Sequence, residues 1–323
     1  MIGRRTLLGW AAASSAAAVS TAVLGCDRES LARGEGRAEP SGAPAPGPGA
    51  APLATGAAEV AASRWRELDL DGNASFHEPG RVTVRPEPGA PLVVALHGAG
   101  ENAKGLVGGS RGFRDDYGLD RAYARLGAPP LVEGDFGGFV RRDRLSTLNA
   151  ALAARPFAGV AVACPFTPYV QELEGAKRWA GWLEEVLVPR AREAGGTAAD
   201  APLGIDGISM GGRLALLLGF ARPDLFAAVG ASQPAVKPDE VRYFANLAAK
   251  AHATRPRPLR LVSSQGDFYL EAIRALSEAL RRRDVPHQLL VTPGPHDYPW
   301  NRGPGSTEML VFHDRVLRGA PPV

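Results

Sequence analysis

The sequence predicts an α/β fold with a mostly parallel central sheet and helices on both faces, and three observations carry that expectation. From Trp65 onward, short apolar runs alternate with longer amphipathic stretches, the pattern of successive βαβ units. The run Leu92-Val93-Val94-Ala95-Leu96 is apolar at every position, as a strand covered on both faces requires. Between such runs the period changes: over residues 174–194, Trp179, Trp182, Leu183, Val186 and Leu187 recur at helical spacing while Glu184 and Glu185 point away. With 323 residues and 45% hydrophobic content, the chain has enough apolar side chains for a sizeable core.

The elements follow in order. Residues 64–70 and 81–85 are expected to form an edge pair, and residues 91–97 the first strong central strand. Residues 159–164, 203–208, 227–231, 259–263 and 288–292 continue the series of strands. Helices are expected over 174–194 and from near Met210, Asp239, Tyr269 and Ser306, with Pro223 stopping the one that begins at Met210. Residues 101–150 show no legible period, and no internal repeat is present.

Ahead of this region the chain reads differently. Arg4 and Arg5 precede an uncharged, Ala- and Ser-rich run, and residues 1–25 have the layout of a bacterial export signal. Arg4-Arg5-Thr6-Leu7-Leu8 resembles a twin-arginine signal. The run is long enough to cross a bilayer, but Ala and Ser give it a weak transfer free energy and no basic stop-transfer cluster follows, so a cleaved leader is expected. Val23-Leu24-Gly25-Cys26 resembles a lipobox, which makes Cys26 the site of lipidation and the anchor to a membrane. Residues 26–60 are expected to be a disordered tether, because the Ala-, Gly- and Pro-rich stretch 33–58 holds no aromatic residue and too little apolar surface to fold. Residues 61–323 then form the folded domain, exported to the periplasm or cell surface.

Charge and cysteine content exclude other classes. The chain carries 37 Lys and Arg against 34 Asp and Glu; the leader takes two of the basic residues and none of the acidic ones, which leaves 35 against 34. So even a balance provides no field to gather nucleic acid or anionic lipid. The two cysteines, Cys26 and Cys164, sit in unlike contexts and indicate no disulfide framework.

The chemistry gathers around Gly207-Ile208-Ser209-Met210-Gly211. In a chain with 39 glycines the pattern alone says little; its context says more, because an apolar strand leads in and a helix leads out. In such a turn the serine backbone is strained, residues two positions away must lack side chains, and the hydroxyl stands clear of the sheet. The helix start also supplies the Met210 amide and a favourable dipole for an oxyanion. A serine hydroxyl needs a base and an acid to orient that base, and both arrive on later strand ends. Asp267 follows the strand 259–263 as the orienting acid, and His296 follows the strand 288–292 as the general base. Asp267 also reads as a helix cap, a role compatible with catalysis.

The remaining candidates sort by position. His97 ends the central strand and begins His97-Gly98-Ala99-Gly100; it is expected to fix the loop, whose glycines let the Ala99 amide serve as the second oxyanion donor beside Met210. His77, His252, His287 and His313 follow no strand end after the acid. Tyr298 and Trp300, just past the histidine, are expected to line the substrate pocket. Trp179 and Trp182 read as core, and Cys164, ending a strand before Pro165, as buried and inert. No His or Cys pair stands at ligand spacing, so no metal is expected, and no phosphate-cradling loop implies a nucleotide cofactor.

With these residues in view, the region 92–317 resembles the α/β-hydrolase esterase family that includes esterase D (S-formylglutathione hydrolase), enterochelin esterases, feruloyl esterases and mycolyltransferases. The resemblance lies in Glu184-Glu185-Val186-Leu187-Val188-Pro189, Gly207-Ile208-Ser209-Met210-Gly211-Gly212, Arg222-Pro223-Asp224-Leu225-Phe226-Ala227-Ala228-Val229 and His296-Asp297-Tyr298-Pro299-Trp300. It implies a triad of Ser209, Asp267 and His296 that cleaves small-molecule carboxylic esters or thioesters through an acyl-enzyme, without a cofactor. An acyltransferase or serine peptidase of the same fold, and a non-catalytic surface lipoprotein using the fold as a binding module, are the competing expectations.

Overall fold

In the computed structural model, which describes residues 64–323, each apolar run becomes a strand of one eight-stranded sheet, in the order β1-β2-β4-β3-β5-β6-β7-β8. The expected export signal, Cys26 and the tether lie outside the described residues. At one edge β1 (Arg66–Leu70) and β2 (Gly80–Arg85) pair antiparallel, and β2 pairs antiparallel with β4 (Ala161–Pro165). Every other pairing is parallel: β3 (Leu92–Leu96) lies between β4 and β5 (Leu203–Gly207), followed outward by β6 (Ala228–Ser232), β7 (Leu259–Gly266) and β8 (Gln288–Pro295). The pleat sends alternate side chains of β3 to opposite faces. Leu92, Val94 and Leu96 pack with Trp179, Trp182, Leu217 and Phe244, whereas Val93 and Ala95 pack with Phe113, Tyr117, Leu310 and Phe312.

The stretch without legible period folds as α1 (Ala99–Asn102), α2 (Gly105–Ser110), α3 (Gly112–Asp115), α4 (Leu119–Leu126) and α5 (Arg142–Ala154). Pieces of four to eight residues are too short to repeat a helical period, which is why four of the five escaped the pattern. Polar clamps fasten them to the edge strands. Glu67 on β1 takes hydrogen bonds from Arg111 (2.9 and 2.7 Å), Arg114 (2.8 Å) and Arg81 (2.5 Å). Those guanidinium groups, Arg111 foremost, hold its carboxyl down at about 2.

The helix expected over 174–194 is present but divided into α6 (Leu173–Trp182), a π turn (Leu183–Leu187) and α7 (Val188–Gly195). Pro189 has no N–H for the Glu185 carbonyl and its ring crowds that oxygen, so the chain widens by a residue just before it. Trp179 and Trp182 are core residues, with ring centroids 6.3 Å apart and planes within 13°. The later helices are α8 (Met210–Ala221), α9 (Val241–Thr254), α10 (Leu270–Arg281) and α11 (Ser306–Val316).

β7 and β8 each run three residues beyond the expected ends. β8 carries Pro293 and Pro295, which a strand tolerates when one side faces no partner; it is the edge strand and pairs with β7 alone. The extension ends with Gly266 opposite Pro295, and the next residues are Asp267 and His296.

Candidate active site

Between β5 and α8 the chain reverses within Ile208 and Ser209, and Ser209 is left at φ 58°, ψ −115°. A non-glycine residue there is strained and persists only where its surroundings hold it. They do so through the backbone: the Ser209 N–H donates to the Ser232 carbonyl at 2.9 Å, and its carbonyl accepts from the amides of Arg213 and Ala235, both at 3.0 Å. Glycine is required on either side. A Cβ on Gly207 would strike the Gly211 carbonyl, and one on Gly211 would strike the Leu96 carbonyl oxygen.

Three side chains predicted from separate strand ends meet at this turn. Ser209 Oγ lies 3.0 Å from His296 Nε2, and His296 Nδ1 lies 2.9 Å from Asp267 Oδ1. The carboxylate accepts from Nδ1–H, which leaves Nε2 as the acceptor for the serine proton. Asp267 is buried; Oδ1 also accepts from the Tyr269 amide at 2.9 Å and Oδ2 from Ser263 Oγ at 2.7 Å. The cap-like bond at the start of α10 and the bond to the histidine therefore coexist on one carboxylate. Phe268 stacks on the imidazole at 4.3 Å between centroids, though the residue is 71% exposed. Beneath it, Gln233 Nε2 donates to Ser264 Oγ at 2.7 Å and to the Pro295 carbonyl at 2.9 Å, tying the ends of β7 and β8 together. Neither Phe268 nor Gln233 was singled out from the sequence; their only signal is that each lies within a residue or two of a strand end.

The Met210 and Ala99 amides open α8 and α1, where first-turn N–H groups have no partner within the helix. His97 fixes the loop before Ala99, as expected. Its Nε2 accepts from the Thr167 amide at 2.8 Å, so Nδ1 carries the proton and donates to the Gly98 carbonyl at 2.9 Å. Burial pushes this imidazole down to about 4, and it stays neutral. Beside Ser209 opens a cleft of about 190 Å³ whose walls include Ala99, Glu101, Tyr117, Tyr298 and Asn301.

Tyr298 lines the cleft, but Trp300 does not, and that expectation is corrected. Trp300 is fully buried and its Nε1 donates to Thr292 Oγ1 at 2.8 Å. The two residues share a helical turn, Tyr298–Trp300, capped by Asp297, whose Oδ1 accepts from the Trp300 amide at 3.0 Å. At ~100° per residue they face nearly opposite directions, one toward the cleft and one toward the sheet. Cys164 is buried, and burial pushes its thiol well above the ordinary range. His313 is buried against Asp206 at 3.0 Å and makes no hydrogen bond to the triad. Among the described residues no group of three His, Cys, Asp or Glu side chains could hold a metal ion.

The family profile described as "Putative esterase" matches residues 157–303, a span that contains the turn, the acid and the histidine. Among solved structures, the chain is similar to the S-formylglutathione hydrolase of Staphylococcus aureus (TM-score 0.56, 13% identity, covering 78% of this chain and 98% of that one). It is also similar to a ferulic acid esterase (TM-score 0.52, 18% identity, 76% of this chain and 96% of that one). A fluorophosphonate-binding serine hydrolase of S. aureus follows at TM-score 0.50 and 15% identity, over 78% of this chain and 98% of that one. No curated protein sequence matches the chain. At such identities the structural likeness speaks for the fold. The chain has the α/β-hydrolase fold, and its residues 157–303 are similar to the esterase family that this profile describes.

Proposed function

We propose that the protein hydrolyses carboxylic esters or thioesters through an acyl-enzyme on Ser209. As Ser209 Oγ attacks the carbonyl carbon, its proton passes to His296 Nε2, and Asp267 stabilises the imidazolium. The amides of Ala99 and Met210 receive the oxyanion. His296 then gives its proton to the departing alcohol or thiol, and water repeats the sequence to release the acid. The observation that carries this reading is the continuous hydrogen-bonded series Asp267–His296–Ser209 at a strained strand-to-helix turn. A fluorophosphonate probe tests it. Wild-type protein should be labelled on Ser209 and should hydrolyse p-nitrophenyl acetate, and Ser209→Ala should do neither. A wild type that is neither labelled nor active sinks the reading. Short-chain, feruloyl and thioester substrates assayed side by side then rank the leaving groups.

We further propose that the enzyme works outside the cytoplasm from a lipid anchor on Cys26. In cells fed a palmitate analogue, the wild type should take up label; uptake that persists in Cys26→Ala refutes the anchor.

A further inference from the structure

Glu101 and Tyr117 have no part in the reaction described above, yet both are buried against the loop that carries Ala99. That loop turns on Gly98, which caps α1 and has both of its backbone groups held by side chains. Its carbonyl accepts from His97 Nδ1 at 2.9 Å, and its N–H donates to the Tyr117 hydroxyl oxygen at 2.9 Å. Tyr117 in turn donates its proton to Glu101 Oε2. A phenol that donates to a carboxylate is a stronger acceptor for an amide, because the first bond draws the proton outward and enriches the oxygen. Burial, with the neighbouring carboxylate, pushes the Tyr117 phenol well above its ordinary range, so it keeps the proton it donates.

The surroundings leave room for little else. A Cβ on Gly98 would come within 3.1 Å of the Tyr117 hydroxyl, and one on Gly112 within 2.6 Å of Glu101 Cγ. On the other side, the Tyr298 hydroxyl would stand 2.6 Å from a Cβ on Gly100, and the rings of Tyr298 and Tyr117 are 6.2 Å apart. Glu101 pushes the Tyr298 phenol up to about 12. Glu101 thus stands between the Ala99 loop and the loop that carries His296.

We infer that Glu101 and Tyr117 are positioning residues for the oxyanion hole: through the Gly98 N–H they fix the peptide plane from which the next amide, Ala99, is presented. The bond also occupies the Gly98 amide, which withholds that group from the oxyanion. A donor aimed in advance at the forming oxyanion stabilises the transition state more than the substrate, so loss of aim falls on turnover rather than on binding.

This inference rests on Ser209 being the nucleophile, and the test separates the two. Tyr117→Phe, Glu101→Gln and Glu101→Ala are assayed on p-nitrophenyl acetate, with active sites counted by fluorophosphonate so that misfolded protein does not enter the rate. Tyr117→Phe and Glu101→Ala should lower kcat by about 10- to 100-fold, below the 10²- to 10³-fold typical of deleting an oxyanion donor. KM should stay within about threefold. Glu101→Gln, whose carbonyl can still accept from Tyr117, should retain more activity than Glu101→Ala. An aryl boronate, which places an anionic oxygen in the hole, should lose affinity for Tyr117→Phe by the same factor as kcat. This boronate comparison decides the matter if Glu101→Ala does not fold. Unchanged kcat in Tyr117→Phe, a loss carried by KM, or Glu101→Gln no better than Glu101→Ala overturns the brace alone. A wild type that hydrolyses no ester and takes no probe overturns both readings.

Discussion

The turn after β5 and the loop after β8 face α1 and Tyr117 across the cleft beside Ser209, and the two sides hold their functional groups by different means. On the strand side, Ser209, Asp267 and His296 sit one residue or two past the end of a strand, and parallel pairing in the sheet brings those ends together. On the helix side, position comes from side chains: Tyr117 on the Gly98 amide, Glu101 on Tyr117, and Arg111 and Arg114 on Glu67 beneath them. The groups proposed to transfer the proton are placed by backbone, and the loop that would receive negative charge is placed by buried polar contacts. Damage on the first side should remove the reaction, and damage on the second should change its rate or the stability of the loop.

The largest effect is expected at the strand side. Ser209→Ala should lower turnover by ~10⁴- to 10⁶-fold with the thermal midpoint nearly unchanged; a variant within tenfold of wild type would end the division of roles drawn above. Next comes Trp300, which follows the histidine by four residues yet belongs to the core. Trp300→Ala should lower the unfolding free energy by ~3–5 kcal/mol, measured by urea titration. If stability held and KM alone rose, the residue would belong to the cleft after all.

A smaller effect concerns the helix side and pH. The His97 imidazole is held at about 4 in the folded protein by burial, against about 6.5 in an unfolded chain. Between those values the unfolded chain binds a proton that the folded one refuses. The contribution is therefore complete above about pH 6.5 and is lost as pH falls toward 4, a change on the order of 3 kcal/mol. His97→Gln does not titrate, so its urea midpoint should fall less between pH 7 and pH 4.5 than that of wild type. Equal slopes would mean that His97 is not the neutral brace described.

The same contrast governs what could be read in advance. The sheet was legible because each strand is a local apolar run, and the triad because a strand end followed by Gly-x-Ser-x-Gly, Asp or His is a local pattern too. Glu101 and Tyr117 were not legible: they lie 16 residues apart in a region of helices too short for a period, and what joins them is a contact in space. Trp300 was misplaced because proximity to the histidine in sequence does not say which way a turn of helix points. The break in the 174–194 helix was written in Pro189, whose missing N–H forces the π turn.

The place of β8 at the edge of the sheet bears on how the protein is made. His296 follows this last strand and comes 87 residues after Ser209. A chain leaving the ribosome therefore presents the Ser209 turn well before the histidine proposed to activate it. The proposed triad is complete only once the final strand has docked against β7 and brought His296 to Ser209.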